Sequence, residues 1–212
     1  MKDKIIAALD THEIYRSQGL VHRMLNDGIT IVKLGYEALV NQGTYLIPLI
    51  KAHDAEVFID LKMNDIPNTI KKTCESLNRQ GVSYVTVHGT SDIETIQLAV
   101  DTFNGKVLVV TQLTTEQPRD EKLIFYLAYK AAQANASGVI CAPEDVQIIK
   151  EYFPRLLCVC PGIRYSSDEK DDQVNAMTPV QALALGADYL VMGRSLIKNY
   201  YEEESNEEKV YI

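Results

Sequence analysis

No apolar stretch in this sequence approaches the ~20 residues that a membrane-spanning helix needs, so a transmembrane protein is not the expectation. The segment Met1 to Asp10 carries two lysines and one short apolar run closed by an aspartate, too little for the core and cleavage site of a secretory signal. Cytoplasmic residence is the expected location. Positive charge is also in deficit: 21 Lys and Arg stand against 29 Asp and Glu, a formal net charge of -8. That balance argues against nonspecific binding to nucleic acid or anionic membranes, which a basic surface would favour. A nucleotide-sized anion needs only a local pocket of cations and backbone donors, and stays a candidate ligand. Much of the acid lies in the tail Glu202 to Glu208, read as a solvated end.

Cysteine is sparse and has no metal-finger spacing. Of Cys74, Cys141, Cys158 and Cys160, the last two would share one face of a strand, a packing arrangement in a reduced compartment. No linker, low-complexity segment or primary-sequence repeat interrupts the chain. One domain over residues 1–212 is expected, ending in a short acidic tail at about 202–212.

What is present is a 46% hydrophobic composition, enough for a sizeable core, and an alternation of short apolar runs with longer amphipathic stretches. Parallel strands joined by helical crossovers produce that pattern. Eight strands are predicted: Lys4 to Leu9, Thr30 to Leu34, Glu56 to Leu61, Ser83 to His88, Lys106 to Thr111, Gly138 to Cys141, Leu156 to Cys160 and Tyr189 to Met192. Helices are predicted over Thr11 to Asn26, Asp65 to Gln80, Ser91 to Phe103, Arg119 to Ala136, Pro143 to Tyr152 and Thr178 to Leu185, with Ser91 and Thr178 as capping residues and Pro179 at a first helical position. Eight units without a composition break favour a single α/β (β/α)8 barrel of the TIM type. Periodicity alone leaves an open doubly wound sheet as the alternative.

Polar residues or glycine stand at the C-terminal end of nearly every predicted strand: Asp10, Lys33, Asp60 with Lys62, His88, Thr111 with Thr114, Gly162, and Gly193 with Arg194. In a barrel these ends meet on one rim, where active sites of the fold are built. Asp60 and Lys62 are two apart at a strand end, so both can face the barrel mouth. An isolated surface ion pair would be worth only ~0 to 1 kcal/mol. Lys33 and Asp65 on the same rim argue for more than that, and Asp65 would also favour the start of the following helix. Gly193 and Arg194 lead into a last short helix, where backbone donors and a guanidinium suit a phosphate. Cys160-Pro161-Gly162-Ile163-Arg164 leads into a long polar loop through Ser166, Asp168 and Gln173, which is either a solvated connection or a lid over a ligand.

These residues resemble the orotidine 5'-monophosphate decarboxylase family, and specifically its shorter bacterial type. The resemblance runs from Ala8-Leu9-Asp10 through Val32-Lys33, Val87-His88, Leu113-Thr114, Pro161 to Arg164 and Asp172-Gln173 to Met192-Gly193-Arg194. Its most specific element is the string Asp60-Leu61-Lys62-Met63-Asn64-Asp65-Ile66-Pro67-Asn68-Thr69, which the resemblance implies is a substrate-binding segment. By the same analogy Lys62 is the proton donor, Asp60 faces the substrate carboxylate, and Lys33 and Asp65 complete an alternating charge network. Asp10 and Lys33 hold the ribose, Thr114 contacts the pyrimidine, and Arg164, Gln173, Gly193 and Arg194 serve the phosphate. Asp65 and Thr69 would enter a neighbouring subunit's site, which implies a homodimer. Two departures stand out: His88-Gly89-Thr90-Ser91 replaces the family's run of small residues, and the segment up to Thr114 is short, so His88 is read as structural.

Loss of CO2 from a pyrimidine ring carbon leaves an electron pair in the ring plane, out of reach of the π system. No pyridoxal-lysine or thiamine signature offers a sink, so no cofactor and no metal are expected, and an ammonium beside the developing carbanion must stabilise the charge and then donate the proton. Flanking carboxylates favour the charged form of Lys62. Two rivals share the fold. A metal-dependent sugar-phosphate lyase or aldolase of the same superfamily would carry a glutamate in place of Lys33, because a lysine repels the cation. A nucleotide-binding barrel without catalysis would not need the lysine and aspartate set.

Overall fold

Runs such as Ile5–Ala8 and Ile31–Leu34 are buried at every position, as expected of strands covered on both faces. The computed structural model describes residues 1–10, 14–165 and 177–200. The strands are β1 (Ile5–Ala8), β2 (Ile31–Leu34), β3 (Glu56–Met63), β4 (Tyr84–His88), β5 (Lys106–Val110), β6 (Gly138–Ile140), β7 (Leu157–Cys160) and β8 (Tyr189–Met192). They form a closed barrel in sequence order. β8 returns to pair with β1, Ile6 opposite Val191, which removes the open sheet as an alternative. The expected barrel is therefore present, with strand bounds within about two residues of those read from the sequence.

Helices α1 (Ile14–Asn26), α2 (Tyr36–Gln42), α3 (Leu46–Lys51), α4 (Pro67–Arg79), α5 (Ile93–Thr102), α6 (Glu121–Gln133), α7 (Val146–Tyr152) and α8 (Pro179–Ala184) follow the strands. Residues 194–200 are helical after β8. α2 and α3, both short, were not among the sequence expectations. Thr178 caps α8 through a capping box with Gln181, as expected, and Pro179 opens the helix. Ser91 does not cap α5. Asp92 does, accepting from Thr95 N at 2.6 Å, because a carboxylate one residue nearer the helix reaches the free amides first. The Pro143 segment begins as a 3-10 turn (Pro143–Asp145) before α7. Among the described residues no helix is long and apolar enough to cross a membrane.

Two apolar layers result from the strand alternation. One face of each strand packs outward against the helices; there Val32, Ile59, Val85 and Met192 meet Leu20, Met24 and Ile70. The four cysteines are free and buried, with Cys158 and Cys160 together in this outer layer. The other face fills the barrel with Ile6, Ile31, Phe58, Tyr84, Leu108, Val159 and Val191. Truncating fully buried Phe58 to alanine would cost about 3 to 5 kcal/mol by the cavity it leaves. The inward alternation places the site, because the residue two beyond Ile31 is Lys33, two beyond Phe58 is Asp60 and two beyond Tyr84 is Thr86.

Candidate active site

The mouth of the barrel at the strand C-termini holds a cavity of about 550 Å³, within the usual range for a small-molecule site. Asp10, Lys33, Asp60, Lys62, Thr114, Arg164, Gly193 and Arg194 all line it. Eight expected site residues from six strand ends thus share one space. Glu37, Gln112 and Ser195 also border it and were not anticipated.

At its centre Asp60 is nearly buried, and both lysines approach the same oxygen: Lys33 Nζ is 3.3 Å and Lys62 Nζ 2.9 Å from Asp60 Oδ2. Thr86 Oγ1 donates to the other oxygen, Oδ1, at 2.9 Å. Burial alone would raise the Asp60 pKa, but the Lys33 and Lys62 charges and the Lys62 and Thr86 hydrogen bonds outweigh it and hold the carboxyl below its ordinary value. Asp60 is a carboxylate at neutral pH. Asp10 Oδ1 lies 3.9 Å from Lys33 Nζ, and a Cβ on Gly35 would sit 3.1 Å from Asp10 Oδ1 and 3.2 Å from Lys33 Nζ. Glycine at that turn leaves room for the pair.

The strand geometry at Lys62 is irregular. Ile59 pairs with Val85 and Met63 with Val87, so β3 uses four residues where β4 uses two. Lys62 itself has φ +46, in the left-handed region. Its amide donates to Thr86 Oγ1 at 2.7 Å, the same hydroxyl that donates to Asp60. Thr86 was not identified from sequence: a threonine in a buried strand reads as an ordinary β-former.

The rest of the Asp60 to Thr69 segment does not enter this chain's cavity. Leu61 and Met63 pack into the outer apolar layer. Asn64, Asp65, Ile66, Pro67, Asn68 and Thr69 are exposed, Ile66 to 65%. Asp65 Oδ1 accepts from Ile66 N at 2.7 Å, and Asp65 makes no ion pair among the described residues. Asn64 is tied back, its Oδ1 accepting from Ser91 Oγ at 3.0 Å. The buried Lys130 ammonium in turn donates to Gly89 O at 2.7 Å and to Ser91 O, fixing the β4–α5 turn. His88 stays out of the cavity lining; its Nδ1 meets Thr90 Oγ1 at 2.7 Å. Burial, assisted by the Lys62 and Lys130 charges, lowers the His88 pKa despite the opposing pull of Glu116.

The loop that carries Thr114 is braced by Arg119, which donates to Leu113 O at 2.8 Å and pairs with Asp145. Gln112 Oε1 accepts from Asp120 N at 2.9 Å across the same loop. Neither Arg119 nor Gln112 carried a recognisable signal in the sequence. Gln173 and the polar loop through Ser166 and Asp168 lie outside the described residues, as does the acidic tail beyond Tyr200.

The chain is 34% identical over 211 residues to the orotidine 5'-phosphate decarboxylase of Streptococcus equi subsp. zooepidemicus strain H70, covering 93% of this chain and 92% of that protein. It is 35% identical over 189 residues to that of Geobacillus thermodenitrificans, covering 79% of each. The crystal structure of orotidine 5'-phosphate decarboxylase from Lactobacillus acidophilus superposes with a TM-score of 0.77 at 27% identity, over 97% of this chain and 98% of that one. The profile of the Orotidine 5'-phosphate decarboxylase / HUMPS family matches residues 3–208. The chain belongs to that family.

Proposed function

We propose that the protein is a carboxy-lyase that converts orotidine 5'-monophosphate and a proton to uridine 5'-monophosphate and CO2, in pyrimidine biosynthesis. The observation that carries this reading is the convergence of Lys33 and Lys62 on one Asp60 oxygen inside a nucleotide-sized cavity. The names of the relatives, each an orotidine 5'-phosphate decarboxylase, support the substrate. Asp60 faces the substrate carboxylate. As the bond to CO2 breaks, the electron pair stays on the ring carbon, and the Lys62 ammonium stabilises it and delivers its proton there. The neutral lysine then regains a proton from solvent. The charge cluster acts where other decarboxylases use a cofactor, and the reading assigns none.

Binding is divided along the cavity. Asp10 and Lys33 hold the ribose, Thr114 the pyrimidine, and Arg164, Gln173, Gly193 and Arg194 the phosphate. Phosphate binding contributes to the chemical step by fixing the ring carbon against the cluster. Two copies share their sites: Asp65 and Thr69 project from one chain, and Leu61, Met63, Asn64, Ile66, Pro67 and Asn68 shape the segment that carries them. Exposed Asp65 outside its own cavity, followed by the exposed apolar Ile66, supports that arrangement. The buried free thiols fit a reducing cytoplasm.

The test is to treat the purified protein with excess chelator, add orotidine 5'-monophosphate, and follow its ultraviolet absorbance together with released CO2. Sustained turnover is expected. Turnover that vanishes in chelator and returns with magnesium overturns the reading in favour of the metal-dependent lyases, and binding without CO2 release in favour of a nucleotide-binding barrel.

A further inference from the structure

The two-residue bulge in β3 takes the Leu61–Lys62 peptide out of the barrel's hydrogen-bond ladder. A peptide in that position must find partners for its N–H and C=O elsewhere. Both partners are side chains, from two different elements. The Lys62 N–H donates to Thr86 Oγ1 of β4 at 2.7 Å, and the Leu61 carbonyl accepts from the hydroxyl of Tyr36, at the start of α2. The residue that follows this peptide is Lys62, at φ +46, a conformation that a lysine leaves readily unless neighbouring contacts impose it. The plane of the peptide between residues 61 and 62 sets that φ, so holding its two ends holds the direction in which the lysine side chain departs.

We infer that Tyr36 and Thr86 are positioning residues that clamp the Leu61–Lys62 peptide and thereby aim the Lys62 ammonium at the reacting carbon. The Tyr36 ring adds to the hold, with its centroid 5.9 Å from Lys62 Nζ, at the edge of cation–π range. Thr86 does two jobs with one hydroxyl, accepting from the Lys62 amide and donating to Asp60 Oδ1. Asp60 and Lys62 are thus referenced to a single buried atom on the neighbouring strand. Tyr36 differs in character: it is 56% exposed, so its hydroxyl is not needed to satisfy a buried core, and its contact with the Leu61 carbonyl bears on the clamp. The inference rests on the reading of Lys62 as proton donor.

Tyr36→Phe, Thr86→Val, Thr86→Ser and the Tyr36→Phe/Thr86→Val pair, made in the full-length protein, test it. Four quantities are read: kcat and KM for orotidine 5'-monophosphate, the Kd of uridine 5'-monophosphate, and amide hydrogen exchange at Lys62. Tyr36→Phe and Thr86→Val should each lower kcat by about tenfold or more, the scale of a misaimed catalytic group. KM and nucleotide Kd should stay within about threefold, because the ammonium acts on the transition state rather than on binding. Thr86→Ser, which keeps the hydroxyl, should restore most of the loss. The paired variant should lose less than the product of the single losses, since either change already frees the same peptide. Exchange at Lys62 should quicken in Tyr36→Phe whether or not the nucleotide turns over. If Thr86→Val does not fold, the exposed Tyr36→Phe decides alone. An unchanged kcat in Tyr36→Phe, or a loss confined to KM and nucleotide Kd, overturns the clamp. A fully active Lys62→Ala overturns instead the proton-donor reading, and an inactive Lys62→Ala beside an undiminished Tyr36→Phe leaves that reading standing without the clamp.

Discussion

Lys33 and Lys62 meet at one atom: their ammonium groups lie 3.3 and 2.9 Å from Oδ2 of Asp60, on adjacent strands whose register sets Lys33 opposite Phe58. Within the cluster the two ammonium charges are balanced by Asp60 and by Asp10, 3.9 Å from Lys33, and the cavity's excess of positive charge comes from Arg164 and Arg194, which outnumber Glu37 on its lining. An anionic substrate suits that excess. In the proposed reaction the substrate's carboxylate charge departs from beside Asp60 as charge grows beside Lys62, so the cluster matches the transition state better than it matches the bound substrate.

Replacing Lys62 removes both the cation and the proton donor. Lys62→Ala is expected to lower kcat by about 10^4-fold or more, combining the usual effects of a general acid and an electrostatic contact. The barrel should stay folded by circular dichroism and still bind uridine 5'-monophosphate, because the side chain is partly exposed and Asp60 keeps Lys33 as a partner. Activity within tenfold of the parent would remove Lys62 from the role.

The depressed Asp60 pKa makes a statement about stability against acid. A carboxylate whose folded pKa lies below its unfolded value contributes stability that is present above the unfolded value and lost as pH falls through the folded one. The ordinary value is 3.8, so the window lies at and below it. Asp60→Asn should be destabilised near neutral pH by of order 3 kcal/mol, through two lysines left facing a neutral group. That difference should shrink as the pH drops below about 4, where the unfolded parent takes up the proton that folded Asp60 resists until lower pH. Urea unfolding of both proteins between pH 7 and about pH 3 measures it, and a gap that stays constant with pH rules out Asp60 as the acid-labile anchor.

The eight strands were legible because each is a short apolar run between amphipathic stretches, and barrel burial imposes that pattern. The centre of the site was legible for a related reason: Lys33, Asp60 and Lys62 are charges at the ends of buried runs, where burial is tolerated only with partners. What stayed hidden is geometry that leaves no trace in composition. The β3 bulge and the φ of Lys62 depend on pairing with β4, and Thr86 and Tyr36 look like ordinary strand and helix residues until that pairing exists. The short α2 and α3 give too few turns for a period to show, and α3 contains Pro48. Ser91 was assigned to a cap, whereas its hydroxyl serves Asn64 and the cap belongs to Asp92.

Arg194 should serve the phosphate, and binding energy from there should reach the chemistry. Arg194→Ala is expected to raise KM by about tenfold or more and to lower kcat as well, since a substrate loosely held at its phosphate is less well aligned at its ring. Added guanidinium should restore part of the loss by returning the charge and its donors. Unchanged kinetic constants would take Arg194 out of the phosphate site.

Asp65 gives the sharpest test of assembly. It is exposed, makes no ion pair among the described residues and does not line the cavity of its own chain, so a catalytic Asp65 must act in a second copy. Lys62→Ala and Asp65→Ala should each be inactive as homodimers. If the two are unfolded together and refolded as an equal mixture, chains pair at random and about half of the dimers are mixed. In each mixed dimer one site receives both defects and the other receives none. Recovery of about a quarter of the parent activity follows from that pairing of a two-fold dimer. The measurement needs parent protein refolded in parallel and mixed dimers counted by mass spectrometry. No recovery in confirmed mixed dimers would mean that Asp65 serves its own chain, and the reading of a site shared between two copies would fall.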